Sequence, residues 1–474
     1  MLIFKRSYLI RRTTQKHRHM KNIKAYIFLI CLTMIFCSCQ QELDLAPPSF
    51  IGDNGFYENA EQVEGGVVAI YDGLQQVPLR EFALLEMRSD NTGTRTSEGD
   101  WAQFESFTVQ PTNLAIGEYW QANYNVIFRA NQVIKHLGVV TNETQKKQFE
   151  GEAKFARAMA HFNLVRAFGA VPLIDRVIIQ TDTEFFGRND VSEVMGFVEA
   201  DLTTAVEFLP ENTGSGAGRA TKGAAQALLA KVKLTRGDYV AAENILSSLV
   251  NNTNYALQEN YNDVFYTEMN NEIIFAIPYL DDNATESQDF SFEMTLGGRA
   301  SGLNFITDNF VASIDASDVE RTITLYDANV NRAVGKFLTQ SANVRQCGND
   351  WIVLRLADVL LMHSEAILAG GASTQSLQAI QSYNKVRVRA GMPALAEDGS
   401  ATLTKQMLLD ERRVELAFEN HRFYDLIRFG EAENVLGAFA AANGYVFAPT
   451  DLLLPIPQRE INVSGGAITQ NPGY

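Results

Sequence analysis

The sequence predicts a mainly α-helical protein whose helices pack against one another in consecutive pairs. Two observations carry this prediction. The segment from Gly151 to Gly169 places apolar side chains on two helix faces, and a helix–turn–helix pattern at Thr221 to Val250 returns at Leu354 to Arg389. A helix that is apolar on two sides has neighbours on both, which is typical of stacked helices. With 46% hydrophobic and 20% charged residues, the chain of 474 residues has the composition of a globular protein.

The N-terminal stretch MKNIKAYIFLICLTMIFCSC, at Met20 to Cys39, has the layout of a secretory signal peptide. Two lysines precede an apolar run from Ala25 to Phe36, and the small residue Ser38 follows. A run of about 12 apolar residues is too short to cross a bilayer as a helix. Because the signal is complete from Met20 onward, we expect translation to start there, and we assign residues 1–38 to the signal region.

The cysteine that ends this stretch has a specific expected fate. The stretch resembles a bacterial lipoprotein signal, in which Cys39 becomes the lipidated first residue of the mature chain. Cys37 is a poorer acceptor because a bulky phenylalanine precedes it. The alternative is an ordinary signal that is cleaved without lipid attachment. Residues 39–50 are predicted to form an extended tether, because Pro47 and Pro48 are incompatible with a helix.

Charge and cysteine content exclude several classes of function. The formal net charge is −16, and residues 1–38 hold eight Lys or Arg and no acid, so the rest of the chain carries about −24. Such a chain repels nucleic acid and anionic lipid, which leaves the lipid anchor as the means of membrane attachment. Cys347 is the one cysteine after Cys39, and the histidines lack paired spacing. We therefore expect no disulfide, no metal site and no cofactor.

The first helix signal follows the tether. Ala60 to Leu74 is predicted as a helix entered from Asn59, and Met87 to Thr112 is predicted as a long loop rich in Gly, Ser, Thr, Asn and Asp. Further along, Gly169 and Pro172 are predicted to end the helix that has two apolar faces. A long loop in a compact domain is often functional or mobile, so the first loop is a candidate binding region.

The helix–turn–helix stretches resemble tetratricopeptide units. In the first, TKGAAQALLAKVKLTRGDYVAAENILSSLV, Gly237 supplies the turn and small alanines let the two helices approach closely. In the second, a helix from Leu354 turns at Gly370 and Gly371 into a helix from Ser376 to Val388. Two or three such units form a partial solenoid.

The segment from residue 251 to residue 350 differs from the helical parts. Short apolar runs such as Ile273 to Ile277 alternate with turn-rich stretches, which predicts short strands and long loops. The final stretch, Leu452 to Tyr474, contains prolines that favour an extended tail laid across the helices.

Seven stretches, taken in order along the chain, carry a family resemblance. They are YWQANYNVIFRANQVI from Tyr119, GEAKFARAMAHFNLVRAFGAVPL from Gly151, GRATKGAAQALLAKVKLTRGDY from Gly218, WIVLRLADVLLMHSEAIL from Trp351, YNKVRVRAGMP from Tyr383, ERRVELAFENHRFYDLIRFG from Glu411, and LLPIPQREI with QNPGY at the end. In this order, behind a lipoprotein-like signal, they resemble the SusD/RagB family of outer-membrane nutrient-binding lipoproteins over nearly the whole mature length.

The resemblance implies a right-handed helical stack with tetratricopeptide-like helix pairs, plus an irregular loop-rich segment with a few short strands. It implies a single SusD-like domain over residues 51–474, with the loop-rich insertion at about 251–350. It also implies a lipid-anchored protein on the cell-surface side of the outer membrane. There it would capture a glycan or peptide and pass it to a SusC-like TonB-dependent transporter. Family members are not enzymes, which implies that the chain has no catalytic residues.

The acidic residues near the C-terminus have two interpretations. Glu411, Glu415, Glu419 and Asp425 could be catalytic acids, or they could form an ion-pair network with adjacent arginines. A catalytic pair of carboxyls needs a cleft between them and one member with a raised pKa. Each of these acids has arginines nearby in the sequence, so we interpret the motif as structural.

Glycan capture needs aromatic faces for stacking and polar side chains for hydroxyl groups, on loops that a rigid scaffold holds. The candidate ligand-binding residues are Asp90, Asn91, Arg95 and Trp101 in one loop region, and Tyr279, Phe290, Phe292 and Phe305 in a second. Trp101 is the strongest candidate, and its alternative role is that of a loop anchor packed on the helices. Phe290 and Phe292 alternate along the chain, so they could instead form one face of a strand.

Three hypotheses about function are open at this point. The first is a surface lipoprotein that captures an oligosaccharide, or a peptide, for a transporter. The second is a lipid-anchored tetratricopeptide scaffold that binds only proteins. The third is a secreted hydrolase, which is supported only by the abundance of carboxylates. An aromatic loop site favours the first hypothesis, a concave groove without such a site favours the second, and glycan turnover would favour the third.

Overall fold

The computed structural model describes residues 56–94, 98–179, 181–211, 218–294, 304–327 and 333–474. Within these ranges, none of the helices combines the length and the apolar character that crossing a membrane requires. Residues Asn59–Tyr474 form one compact unit. The predicted signal (1–38) and tether (39–50), including Cys39, lie outside the described residues, as does Arg95.

Most of the described chain is helical. The α-helices are α1 (Ala60–Leu74), α2 (Pro78–Leu85), α3 (Ala102–Glu105), α4 (Leu114–His136), α5 (Glu143–Phe168), α6 (Val191–Phe208), α7 (Lys222–Thr235), α8 (Tyr239–Leu249), α9 (Asp263–Tyr266), α10 (Phe290–Met294), α11 (Asp308–Ser313), α12 (Val319–Leu325), α13 (Leu356–Leu368), α14 (Leu377–Arg389), α15 (Lys405–Glu415), α16 (Arg422–Arg428), α17 (Ala432–Ala442) and α18 (Gln458–Val463). Short 3₁₀ helices occur at Leu137–Val139, Thr183–Phe186, Gly335–Phe337 and Pro449–Leu452.

The strands are short and form antiparallel pairs. They are β1 (Thr92–Gly93), β2 (Ile273–Ile277), β3 (Phe305–Ile306), β4 (Tyr326–Asp327), β5 (Ala333–Val334), β6 (Trp351–Arg355), β7 (Ser373–Thr374) and β8 (Leu403–Thr404). The pairs are β1 with β3, β2 with β6, β4 with β5, and β7 with β8. The short strands therefore join distant loops and do not build a central sheet.

The core of the unit is a stack of long helices that follow one another in chain order. Helix α4 packs on α5, α5 on α6, α6 on α7 and α7 on α8. Helix α8 then packs on α13, and α13 on α14. The predicted fold class, mainly helical with tetratricopeptide-like pairs, is confirmed.

Helix α5 confirms the prediction of a helix with two apolar faces. Phe155 and Phe162 on one stripe and Ala160 and Leu164 on the other are all fully buried. The helix begins earlier than the sequence pattern indicated, because the side chain of Asn142 accepts hydrogen bonds from the first turn of its backbone. It ends where predicted, at Gly169, whose φ of 73° is readily reached by glycine.

Both predicted helix pairs are present, with one correction. In the first pair, Gly237 makes the turn between α7 and α8 with φ of 74°. In the second pair the predicted helix start at Leu354 is wrong, because Leu354 lies in strand β6 and the helix begins at Leu356. The apolar run at this point fits a buried strand as well as a helix, so its periodicity could not decide between the two.

Two predicted loop regions contain short helices. The loop from Met87 to Thr112 includes strand β1 and helix α3. The segment 251–350 includes strand β2, as predicted, but also four short helices among its described residues, α9 to α12. The predicted extended tail likewise contains α18, while the backbone N–H of Leu454 donates to the carbonyl of Ala167 and so holds the tail on α5.

Candidate functional site

The acidic motif near the C-terminus forms a buried ion-pair network. Arg355 contacts Glu272 at 2.9 Å, Glu415 at 2.6 Å and Glu419 at 2.7 Å, and all four side chains are almost completely buried. Burial alone would raise the pKa of the Glu415 carboxyl, but the surrounding arginines lower it below its ordinary value. The structural interpretation is thus confirmed, although the partner Arg355 of Glu415 and Glu419 comes from a distant segment and not from the same helix.

Asp90 and Asn91 fasten the first loop to α15 and to the start of α16. Arg422 binds the two oxygens of Asp90 with its Nε at 2.8 Å and its Nη2 at 3.0 Å. Arg413 reaches Asp90 with Nη2 at 2.9 Å and donates from Nε to the side-chain oxygen of Asn91 at 2.9 Å. Burial alone would raise the pKa of Asp90, but the two guanidinium groups lower it. Both residues are buried, and these contacts hold the loop in position.

The two predicted loop regions meet at strands β1 and β3. Gly93 pairs with Phe305 and Thr92 pairs with Ile306. The backbone N–H of Thr307 also donates to the carbonyl of Asn91 at 3.0 Å. The structure therefore brings Phe305, from the second candidate region, next to the loop that contains Asp90.

A cleft of about 970 Å³ opens beside Phe305. We call it the Phe305 cleft. Its walls come from β3, α11, α15 and α17, and its lining side chains include Phe305, Asn309, Gln406, Asp410, Asn434 and Asn443. Phe305 is half-buried, so part of its ring is open to the cleft. The rings of Phe305 and Phe439, among amides and carboxylates, are a suitable lining for a ligand rich in hydroxyl groups.

Among the described residues, one buried guanidinium nitrogen beside the cleft has no hydrogen-bond partner. Arg422 lines the Phe305 cleft with a side chain that is only 6% exposed. Its Nε and Nη2 bind Asp90, whereas its Nη1 has no hydrogen-bond partner among the described residues. A buried polar atom is normally hydrogen-bonded, so the Nη1 of Arg422 is an exception among the described residues.

Trp101 lies close to the cleft but is not among the residues that line it. It immediately precedes α3, whose Glu105 does line the cleft. Its ring stacks on Phe82 with a centroid distance of 5.7 Å and an interplanar angle of 16°, and the guanidinium of Arg80 lies 5.9 Å from its ring centroid. The indole is half-buried, so Trp101 packs on α2 and also keeps some exposed surface.

Three candidate residues of the second region belong to the core. Tyr279 is buried and donates its hydroxyl to the carbonyl of Gln75 at 2.6 Å. Phe290 is fully buried, with its ring 5.1 Å from that of Trp351, and Phe292 is buried as well. The alternative in which Phe290 and Phe292 form a strand face is wrong, because both lie in helix α10. These three side chains are packed in the core and do not line the Phe305 cleft.

Part of the cleft lining comes from residues that the sequence reasoning did not single out. Gln406 lies on α15, and Asn434 and Asn443 lie on α17 or directly after it. Exposed polar residues on helices are common, so nothing in the sequence distinguished these three. In the described part of the chain, no group of His, Cys, Asp or Glu could hold a metal ion.

A stack of paired helices that presents an open, polar cleft is the architecture of a ligand-binding protein. Two family models match the chain: "SusD family" over residues 328–474 and "Starch-binding associating with outer membrane" over residues 43–234. The chain belongs to the SusD/RagB family, whose members are binding proteins and not enzymes.

Named relatives extend over nearly the whole chain. SusD-like protein P2 of Formosa agariphila is 26% identical, over 96% of this chain and 100% of the relative. A solved structure described as a laminarin-binding SusD-like protein is 27% identical, with a TM-score of 0.76 over 88% of this chain and 100% of that one. Surface glycan-binding protein A of Bacteroides thetaiotaomicron, solved with laminarihexaose, is 21% identical, with a TM-score of 0.76 over 87% of this chain and 99% of that one. At that identity the similarity concerns the fold alone.

Proposed function

We propose that the protein is a cell-surface lipoprotein that captures an oligosaccharide in the Phe305 cleft and delivers it to a SusC-like TonB-dependent transporter. The observation that carries the proposal is the similarity, at 27% identity over 88% of this chain, to a protein described as laminarin-binding. Phe305 supplies a ring for stacking against the C–H groups of a sugar. Asn309, Gln406 and Asn434 supply amides for its hydroxyl groups.

The family and the N-terminal sequence support the proposed location and partner. One matching family model is described as associating with the outer membrane. We propose that Cys39 holds the lipid anchor and that residues 39–50 tether the binding domain beside the transporter. Co-purification from detergent-solubilised membranes with a large barrel protein of the TonB-dependent class would support this partnership. Recovery of the protein without any such barrel would contradict it.

The binding proposal is tested by calorimetry on the purified protein. The ligands are neutral oligosaccharides, including laminarihexaose, and a set of peptides of similar length. Replacing Phe305 by Ala removes the stacking ring, so we expect glycan binding to weaken by about 1.4 kcal/mol, which is about tenfold in Kd. Binding of peptides alone would instead support the alternative in which this architecture captures peptides.

The matched control is Phe128→Ala, because Phe128 lies on α4 with 52% of its surface exposed and does not line the cleft. Equal affinities for the Phe305 and Phe128 variants would place the ligand elsewhere. Trp101 remains a proposed second contact. Its Ala variant belongs in the same titration, and an unchanged Kd would leave Trp101 with the role of a loop anchor on α2.

A further inference from the structure

A second cavity lies where the end of α5 and the start of α6 meet α16 and the C-terminal tail. We call it the α6 groove. Its volume is about 720 Å³, which is within the range of small-molecule sites. None of the described residues lines both this groove and the Phe305 cleft. Aliphatic side chains form much of its lining, among them Val165, Val191, Met195, Leu234, Ile427 and Leu453.

Three arginines also line the α6 groove, and two of them are already paired. Arg428 binds Glu365 at 2.8 Å and Asp425 at 2.7 Å. Arg236 binds Glu199 at 2.9 Å. Carboxylates elsewhere in the protein therefore balance the charge of these two guanidinium groups. None of the described residues that line the groove is itself Asp or Glu.

The third arginine, Arg166, is held without an ion pair to any described residue. Its guanidinium lies against the rings of Phe162 and Tyr424, 4.0 Å and 4.2 Å from their centroids. Its Nη2 donates to the side-chain oxygen of Asn163 at 2.9 Å, and its Nε donates to the carbonyl of Phe162 at 3.4 Å. Among the described residues its Nη1 has no acceptor, so this donor and the charge are left for a ligand.

Glu81 is the carboxyl group that Arg166 influences from a distance. The oxygens of Glu81 accept hydrogen bonds from the hydroxyl of Tyr119 at 2.9 Å and from the amide of Asn420 at 3.2 Å. Burial raises the pKa of Glu81, and the charge of Arg166 opposes this rise without cancelling it. Glu81 thus does not occupy the guanidinium of Arg166 as a directly paired carboxylate would.

We propose that the α6 groove is a second binding site, for a small monocarboxylate with an aliphatic chain. The carboxylate binds Arg166 through a charge-assisted hydrogen bond from Nη1, and the chain packs on the aliphatic lining. This site is independent of glycan capture, because the groove and the Phe305 cleft have no described lining residue in common.

The test titrates the purified full chain with octanoate, octanol and octylammonium, which share one alkyl chain and differ in the head group. We expect octanoate to bind at least about fivefold more tightly than octanol, and octylammonium to bind most weakly. Arg166→Gln removes the cation, so its Kd values for octanoate and octanol should agree within about twofold. The control is Arg459→Gln, at a side chain that is 73% exposed on α18 and outside the groove, and it should keep the preference.

A second pair of variants leaves Arg166 and its ring contacts in place. Val191→Glu adds a carboxylate to the groove at the first residue of α6, where the valine is 47% exposed. It should weaken octanoate binding at least about fivefold and change octanol binding less than about twofold. Val319→Glu is the matched control, because Val319 is the first residue of α12, is 59% exposed and lies outside the groove.

Several outcomes would overturn the second site. One is equal Kd values of the unsubstituted protein for octanoate and octanol, and another is an equal effect of Val191→Glu and Val319→Glu on octanoate binding. Weaker octanoate binding in Phe305→Ala would place octanoate in the Phe305 cleft. Binding of a blocked peptide with one glutamate among leucines, without binding of octanoate, would assign the groove to a protein partner. Failure of glycan capture would show only in the oligosaccharide titrations.

Discussion

Glu86 is a carboxyl group that the fold keeps away from water. It lies at the end of α2, where one of its oxygens accepts a hydrogen bond from the backbone N–H of Asn420 at 2.7 Å. The other oxygen is buried with no partner among the described residues. Burial raises the pKa of Glu86 to about 8, against the lowering effects of Asn420 and Lys336. The group is therefore mostly protonated in the folded protein at neutral pH.

This raised pKa predicts how stability changes with pH. The folded state keeps the proton up to about pH 8, while the unfolded chain releases it near pH 4.5. The contribution of Glu86 is thus fully present below pH 4.5 and is lost as the pH rises toward 8. The side chain introduced by Glu86→Gln does not titrate. The free energy of unfolding of this variant, measured relative to that of the unsubstituted protein, should therefore increase by about 2 kcal/mol between about pH 5.5 and about pH 7.5.

Urea unfolding at the two pH values measures this difference. The control is Glu118→Gln, whose carboxyl is 53% exposed in its ion pair with Arg80. The relative stability of this variant should hardly change with pH. A Glu86→Gln variant whose relative stability is also the same at both pH values would show that Glu86 is ionised in the folded protein.

The candidate site shows how far single residues can be assigned from sequence. Of the aromatic residues named as binding candidates, Phe305 lines a cleft, whereas Tyr279 and Phe290 are core residues of the same chemical type. Residue type cannot separate the two cases, because only the packing decides which ring is covered. Asp90 was singled out, but its partner Arg413 lies 323 residues away in the chain, so their pairing could not be predicted.

At the scale of elements, local patterns predicted several of the helices well. Helix α1 has the predicted bounds, and the side chain of Asn59 caps it through the backbone N–H of Gln62 at 3.0 Å. These features depend on neighbours within a few residues, which the sequence displays directly. The strands of two residues, such as β1 and β3, depend on partners from distant segments and have no periodicity of their own. They were therefore missed.

The packing of α13 predicts a difference between two leucines of the second helix pair. Leu361 is fully buried in α13, which packs between α8 and α14. Leu361→Ala should lower the free energy of unfolding by about 2 to 5 kcal/mol, because it leaves a cavity in the stack. Leu377 on α14 is 45% exposed, so Leu377→Ala should cost less than about 1 kcal/mol. Chemical denaturation compares the two, and similar losses would contradict the stacked arrangement.

At the scale of the whole molecule, buried charges join segments that are far apart in the chain. Arg355 lies on β6, Glu272 precedes β2, and Glu415 and Glu419 lie at and after the end of α15. Each ion is stabilised only while the others stay in place, so the network favours one arrangement of these segments. The sequence showed that acids and arginines cluster in the motif, but the actual partners emerge only from the tertiary fold.

The proposed role also makes a prediction for the intact protein in its cell. We propose that attachment at the membrane depends on a lipid at Cys39, the last residue of the lipoprotein-like signal. Cys39→Ser should move the protein from the membrane fraction to the soluble fraction and abolish labelling by a radioactive fatty acid. Cys37→Ser is the matched control and should remain membrane-bound and labelled. If only the Cys37 variant loses its label, the lipid is attached at Cys37. If the Cys39 variant is unlabelled but stays in the membrane fraction, something other than lipid holds the protein there.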